Sequence, residues 1–280
     1  MRTILVPTEQ HDLMTSVLET ALLLAKSFDS YVEGFALRPL IVEVYADVMG
    51  AMPLTARGDL TDDDARIVEQ ARIAFTTFME QRGIKRSTAK TPTLSFDWVD
   101  QASDGDGFVG SYGRVFDITV LGRPGNSGES PRAATLEAAL FESGRPILIA
   151  PPKVPEHIGR NVLVAWNGST EQARAITDAM PILRKAEKVT VLSIDGASVP
   201  GPAGELVADY FIRNGISTDH VKVAGQSKTA GQIILAQAAS LGCDLLVKGA
   251  YTQSRLRQMI FGGATRHVLE NATIPVLMAH

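Results

Sequence analysis

The same sequence pattern occurs twice in this chain of 280 residues, in the same order each time. The matched segments are 2–6 with 160–164, 116–122 with 243–249, and 146–150 with 275–279. Three matches in one order indicate two copies of a single domain. We therefore predict a first domain at residues 1–151 and a second at residues 156–280, joined by a short, stiff, proline-rich linker.

The two copies differ in length. The first matched pair is offset by 158 residues and the second by 127, so the first copy is longer by the difference, 31 residues. We place this surplus at about residues 38–64, in a stretch that is apolar from Leu40 to Leu54 and ends in an acidic run at 62–64. Two interpretations stay open: a surface helix packed on its own domain, or a lid or dimer contact.

The second copy shows strands and helices in alternation. Short apolar runs predict strands at 161–165, 189–194, 220–223, 245–248 and 275–279, and helical patterns lie between them at 204–214, 229–241 and 262–271. The first helix follows Ser169, which has capping-box spacing to Gln172. Its predicted buried stripe is Ala173, Ile176, Met180 and Leu183.

This alternation predicts an α/β fold, with a five-stranded, mostly parallel sheet and helices on both of its faces in each copy. Ligands of such sheets bind beyond the carboxyl ends of the strands, where the strand order reverses. We therefore expect a site just after the first and fourth strands of a copy.

Three segments of the second copy are distinctive: Asn-Gly-Ser at 167–169, Asp-Leu-Leu-Val-Lys-Gly at 244–249 and Ile-Pro-Val-Leu-Met at 274–278. With the tandem copies and the spaced glycines beyond Gly249, they resemble the universal stress protein family over essentially the whole chain. The resemblance implies two tandem five-stranded parallel-sheet domains of the Rossmann type, similar to the adenine nucleotide alpha hydrolase-like fold. Many members of that family bind ATP and others do not, and enzymatic activity is not their common property.

ATP-binding members carry a glycine, two residues, a second glycine, nine residues, and then a glycine followed by serine or threonine. Gly249 and Gly262 match the first and third glycines, whereas Thr252 replaces the second and Gly263 replaces the hydroxyl residue. Thr252 hinders close approach of the backbone to phosphate, while Gly263 keeps its N–H group. The resemblance assigns the remaining nucleotide-binding positions to Asn167, Gly168, Ser169, Ile194 and Ala264.

The first copy departs further from this pattern. Glu9 stands at the position that is usually aspartate, and Gly122 is kept, but two alanines at 133–134 replace the distal glycine pair. Ser130 and Pro131 have the character of a helix N-cap and first helical residue. We interpret this copy as degenerate and mainly structural.

Several residues have a second interpretation. Gly249 and Gly262 fit nucleotide contact and simple turn geometry equally well. Asn167 fits an adenosine contact or a loop cap. Lys248, at the end of the fourth strand, fits a phosphate contact or a surface ion pair.

Composition excludes several classes of protein. The formal net charge of −4 gives no basic bias toward nucleic acid, and the single cysteine, Cys243, excludes an intramolecular disulfide and a multi-thiolate zinc site. The five histidines show no metal-ligand spacing, and no catalytic motif is present. We expect no catalytic residues, no metal site, no targeting segment and no membrane span.

The resemblance implies a cytoplasmic stress-response protein that binds ATP or another adenine nucleotide in its second domain, with or without Mg, and acts on an unknown protein partner. We expect the sheet edges at 146–150 and 275–279 to pair the two domains as an intrachain pseudo-dimer, with a homodimer of chains as a further option. One alternative is a nucleotide-free interaction protein that uses the apolar insert. A slow ATPase is a third hypothesis, for which no water-activating residue is identified.

Overall fold

The computed structural model describes residues 1–37, 62–100, 105–125, 130–225, 229–250 and 263–280, with only the backbone of 62–64. The first half contains β1 (Thr3–Thr8), α1 (Met14–Phe28), β2 (Tyr31–Ala36), α2 (Asp62–Gln81), β3 (Ser95–Val99), α3 (Gly107–Tyr112) with a 3₁₀ turn at Gly113–Val115, β4 (Ile118–Gly122), α4 (Ala133–Glu142) and β5 (Ile147–Ala150). The second half contains β6 (Asn161–Trp166), α5 (Thr170–Leu183), β7 (Lys188–Ile194), α6 (Gly204–Arg213), β8 (Thr218–Val223), α7 (Ala230–Ser240), β9 (Leu245–Gly249), α8 (Gly263–Asn271) and β10 (Val276–Ala279).

The ten strands of the described residues form one continuous sheet in the order β3-β2-β1-β4-β5-β10-β9-β6-β7-β8. Each half is parallel throughout, and the halves meet where β5 and β10 pair antiparallel, with Leu148 opposite Leu277. The predicted pairing of these two edges is therefore present. It leaves neither of these apolar strands as an exposed edge.

Helices cover both faces of the sheet, which explains why the strands are apolar on both sides. One buried cluster joins the sheet to α1, α2, α5 and α6, and the other joins it to α3, α4, α7 and α8. The predicted α/β fold class is confirmed, and the described helices of the second half begin and end within two residues of their predicted limits.

Two local predictions are wrong. Ala173 is exposed and is not part of the buried stripe of α5, because Gln172 is buried at the start of this helix instead. Ser130 and Pro131 do not begin α4, since its N-cap is Arg132, in an extended conformation.

The surplus length of the first half is distributed over several elements. Helix α2 has 20 residues where α6 has 10, and the segment from α2 to β3 is longer than that from α6 to β8. The acidic run at 62–64 is the first turn of α2. The predicted lid, dimer contact or surface helix at 38–61 lies outside the described residues.

Among the described residues, no helix combines the length and the apolar character needed to cross a bilayer.

Candidate functional site

The strand order reverses between β6 and β9 in the second half. Both strands run parallel, with Val164 beside Val247, and the chain leaves β6 toward β7 on one side and leaves β9 toward β10 on the other. Crevices of this kind at the carboxyl ends of parallel strands are where α/β sheets bind ligands. The loops that follow β6, β7 and β9 therefore define the candidate site.

The loop after β6 is tightly organised by its own hydrogen bonds. The Asn167 side-chain oxygen accepts from the Ser169 N–H at 3.2 Å, and the Ser169 hydroxyl accepts from the Gln172 N–H at 3.2 Å, which caps α5. Gly168 has φ of +84°, a conformation that favours glycine. Asn167 thus acts as a loop cap in this structure, and its amide nitrogen is not needed for that role.

Gln172 closes the crevice between β6 and β9, a role that was not predicted from the sequence. Its side chain is almost fully buried, with 1% exposed, and its Oε1 accepts from the Gly249 N–H at 2.5 Å. Its Nε2 donates to the Val247 carbonyl at 3.3 Å. Only half of the predicted capping box forms, since the Gln172 side chain bonds to β9 rather than to the Ser169 N–H. The sequence did contain a signal for this role, because Gln172 is a single polar residue that interrupts the apolar stripe in the first turn of α5.

Gly249 is required for packing as well as being a candidate ligand residue. A Cβ atom at this position would lie 2.5 Å from the Gln172 backbone nitrogen. Because two backbones meet there, no side chain can move aside to make room. The close approach of α5 to the end of β9 is thus sufficient to explain this glycine.

The segment after β7 covers the ends of β6 and β7. Ile194 is buried, with 8% exposed, at the end of β7. Beyond it, the Val199 N–H donates to the Asn167 carbonyl at 2.9 Å, and the Trp166 indole N–H donates to the Pro202 carbonyl at 2.7 Å. Trp166 therefore forms part of the wall at this edge, and its indole nitrogen is held by protein.

Lys248 is buried beneath the first turn of α8, so the predicted surface ion pair is wrong. Its side chain is 9% exposed, and its amine donates to the Gly249 carbonyl at 2.8 Å and to the Thr265 hydroxyl at 2.9 Å. Burial lowers the pKa of the amine to about 8. The residue places a cationic group directly behind the candidate site.

Helix α8 begins at Gly263, followed by Ala264, at the same carboxyl edge of the sheet. A Cβ at Gly263 would meet no atom within 4 Å, so this glycine is not required for packing against the described residues. The first N–H groups of an α-helix have no partner within the helix and favour anions. Thr252 and Gly262 lie outside the described residues.

The equivalent position in the first half is filled by protein groups. The Glu9 carboxylate accepts from the Arg132 N–H at the start of α4, at 3.0 Å. Asp106 pairs with the Arg132 guanidinium at 3.0 Å and accepts from Thr135 at 2.8 Å. Burial raises the pKa of Glu9, although the hydrogen bond from Arg132 opposes this shift.

Little space is left at this first-half position. Pro131 packs onto Gly122 so closely that a Cβ there would lie 2.4 Å from the proline ring. The remaining cavity has a volume of about 10 Å³, which corresponds to about one water molecule. That the first copy is mainly structural stays a prediction.

A larger cavity of about 340 Å³ lies at the opposite, amino-terminal edge of the sheet, between the two halves. It is lined by the ends of α1 and α5 and by the linker before β6. Lys185 there already donates to the Ser27 carbonyl and lies 4.4 Å from the Phe28 ring centre. Because helix C-termini carry partial negative charge, this edge is less suited to an anion than the start of α8.

Comparison with known proteins identifies relatives of both the sequence and the fold. A sequence model described as the universal stress protein family matches residues 159–280. No curated protein matches the sequence closely enough to count as a relative.

Two solved structures are similar over nearly the whole chain. A universal stress protein from Archaeoglobus fulgidus DSM 4304 is 19% identical, with a TM-score of 0.68 over 99% of this chain and 97% of its own. A functionally unknown protein from Pseudomonas aeruginosa PAO1 is 15% identical, with a TM-score of 0.60 over 100% of this chain and 92% of its own. At these identities the similarity shows the fold, and it extends over both halves.

Proposed function

Because residues 159–280 match the sequence model of the universal stress protein family, we propose that this chain is a stress-response protein that binds one adenine nucleotide in its second half. The nucleotide lies at the carboxyl edge of β6, β7 and β9, with its phosphates toward the start of α8. We further propose that binding, without turnover, alters the surface seen by a protein partner in the cytoplasm.

The contrast between the two halves is the observation that carries this proposal. In the first half, a protein carboxylate occupies the N-terminus of α4. In the second half, Asn167 stands at the position of Glu9 and turns back to its own loop, so it does not supply an anion to α8. The second half therefore offers a helix N-terminus and the amine of Lys248 without an internal anion from that position.

The resemblance to ATP-binding members supports adenine as the base, and the kept spacing from Gly249 to Gly262 supports phosphate binding beyond β9. Because Thr252 replaces the second glycine of the pattern, we expect weaker nucleotide binding than in those members. Mg is expected only with ADP or ATP, since the described residues place no cluster of metal-ligating side chains here.

The test is a thermal melt of the full chain with millimolar ATP, ADP and AMP, with and without Mg. A ligand that binds only the folded state raises the midpoint of unfolding. We expect an increase of several degrees for at least one nucleotide, and its absence with all three would favour the nucleotide-free interaction protein. Phosphate release above the buffer rate would instead support the ATPase.

Gly263→Glu provides the site-specific variant. A Cβ at this position meets no atom of the described residues within 4 Å, and the side chain places a carboxylate where a phosphate is proposed to bind. Ala134→Glu is the matched control, because Ala134 is exposed at the corresponding position of α4. The proposal predicts that the nucleotide-induced shift is lost in the first variant and kept in the second. Equal shifts in both would contradict it.

A further inference from the structure

Lys248 is a buried cation whose hydrogen-bond partners are both uncharged. More than nine-tenths of its side chain is buried, and its amine donates to the Gly249 carbonyl and the Thr265 hydroxyl. Among the described residues, no carboxylate pairs with it. Burying an ammonium group without an opposite charge is costly, and buried lysines are usually paired.

The elements around Lys248 do not supply the missing negative charge. Strands β10 and β6, which flank β9, and helix α7, which packs against α8, contain no ionisable side chain. On α8, the exposed Glu270 pairs with Arg266, and His267 lies near Asn271. Burial alone is the cause of the lowered pKa of the amine. The charge of the amine therefore has no opposite charge beside it among the described residues.

The first half shows that the fold itself does not need a cation here. The offset of 127 residues between β4 and β9 places Leu121 at the position of Lys248, and the offset of 129 between α4 and α8 places Leu136 at that of Thr265. Both leucines are buried in an apolar core. The same half carries Glu9 at the start of its helix, so the copy with an internal anion has no lysine.

We propose that Lys248 supplies the positive charge that binds the phosphate groups of a ligand held at the N-terminus of α8. The amine contacts Thr265, in the first turn of that helix, so an anion on the first N–H groups lies beside it. The lysine and the helix end then act on one anion from two sides. This inference rests on the proposed nucleotide site and names the group that makes it selective for phosphate.

The first experiment measures binding of ATP, AMP, adenosine and inorganic pyrophosphate to the full chain by calorimetry at pH 7. Lys248→Met is expected to weaken binding of the phosphorylated ligands by roughly 10- to 100-fold, the usual range for a charged hydrogen bond, and to leave adenosine unchanged. Lys248→Gln, which keeps a polar head group, is expected to show the same loss. Lys222→Met is the control, since Lys222 is an exposed lysine paired with Asp195 near the same edge of the sheet.

The second experiment measures protons taken up on ATP binding at pH 8.5, where the phosphates of ATP are already fully ionised, from calorimetry in buffers of different ionisation enthalpy. A bound anion favours the charged form of the amine, so the wild-type protein takes up protons at a pH above the lowered pKa of the free amine. Lys248→Met is expected to show no such uptake. A lysine with a purely structural role would not produce this difference.

The outcomes separate the inference from the function on which it rests. Pyrophosphate binding and proton uptake that depend on Lys248 support the inference even if adenosine does not bind. Equal pyrophosphate affinity in wild type and Lys248→Met overturns the inference and leaves the nucleotide site standing. Failure of wild type to bind any of the four ligands overturns both.

Discussion

Glu9, which is partly buried, and Lys248, which is buried, are ionisable residues that distinguish the two copies. Glu9 brings its own carboxylate to a helix N-terminus, and Lys248 brings a cation to the equivalent helix without a carboxylate to match. At the equivalent positions the other copy has a neutral residue, Asn167, and an apolar residue, Leu121. Neither effect depends on the overall fold, which is common to the two halves.

The pH dependence of stability should reveal the burial of Glu9. Its pKa is raised in the folded state, so its contribution to stability is full below about pH 4.5, the unfolded value, and is lost as the pH rises through the folded value. In Glu9→Gln, the side-chain amide oxygen can still accept from the Arg132 N–H, but the side chain does not ionise. We therefore expect the free energy of unfolding to fall less from pH 4.5 to 7.5 in the variant than in wild type, as measured by urea denaturation. Parallel curves would contradict the burial of Glu9.

Gln172 should contribute to stability through its hydrogen bonds to β9. Gln172→Ala leaves the Gly249 N–H without its acceptor in a buried position, which costs about 1–3 kcal/mol of unfolding free energy. Gln232→Ala is the matched control, because Gln232 is the third residue of α7, is exposed, and accepts from the Thr229 N–H through its side chain. Urea denaturation should show the larger loss for Gln172→Ala, and equal losses would argue against a role in closing the crevice.

At the element scale, the glycines beside the site have different physical roles. Gly249→Ala forces a Cβ against the backbone of α5, and we expect a loss of about 1–3 kcal/mol or more of unfolding free energy. The added Cβ of Gly263→Ala meets no atom of the described part of the chain within 4 Å, and the variant should change stability by less than about 1 kcal/mol. Thermal and urea unfolding of the two variants would test this difference. A stable Gly249→Ala protein would show that α5 is not packed against the end of β9.

The elements themselves were largely predictable, because apolar strands and helical periodicity are local properties of the sequence. The limits of α6 and α7 follow from such patterns and from the glycines that end them. Long-range contacts were not predictable in this way. Gln172 is buried because it reaches β9, and Arg132 is the N-cap of α4, where Glu9, far away in sequence, accepts from its N–H. For the same reason, the sequence alone left two environments open for Lys248, a phosphate contact and a surface ion pair.

At the scale of the whole molecule, the antiparallel pairing of β5 and β10 joins two similar halves into one sheet. A shared apolar core on each face continues across this joint. The halves should therefore unfold as one cooperative unit. The match of their edges was predictable from the repeat, since each copy ends in the same short apolar strand.

The two tryptophans allow this coupling to be measured, because Trp98 lies in β3 and Trp166 in β6, one in each half. Trp98→Phe and Trp166→Phe each leave a single fluorescent reporter. We expect each variant to give a fluorescence transition that coincides with its own circular dichroism transition in urea. Separate transitions for the two signals would show that the halves unfold independently.

The central claim is that the second half holds a nucleotide site and the first half does not. Its most direct test is the stoichiometry of adenine nucleotide binding to the full chain by isothermal titration calorimetry. The account predicts one nucleotide per chain, with Gly263→Glu reducing it to none and Ala134→Glu leaving it at one. Two nucleotides per chain, or none in the wild-type protein, would contradict it.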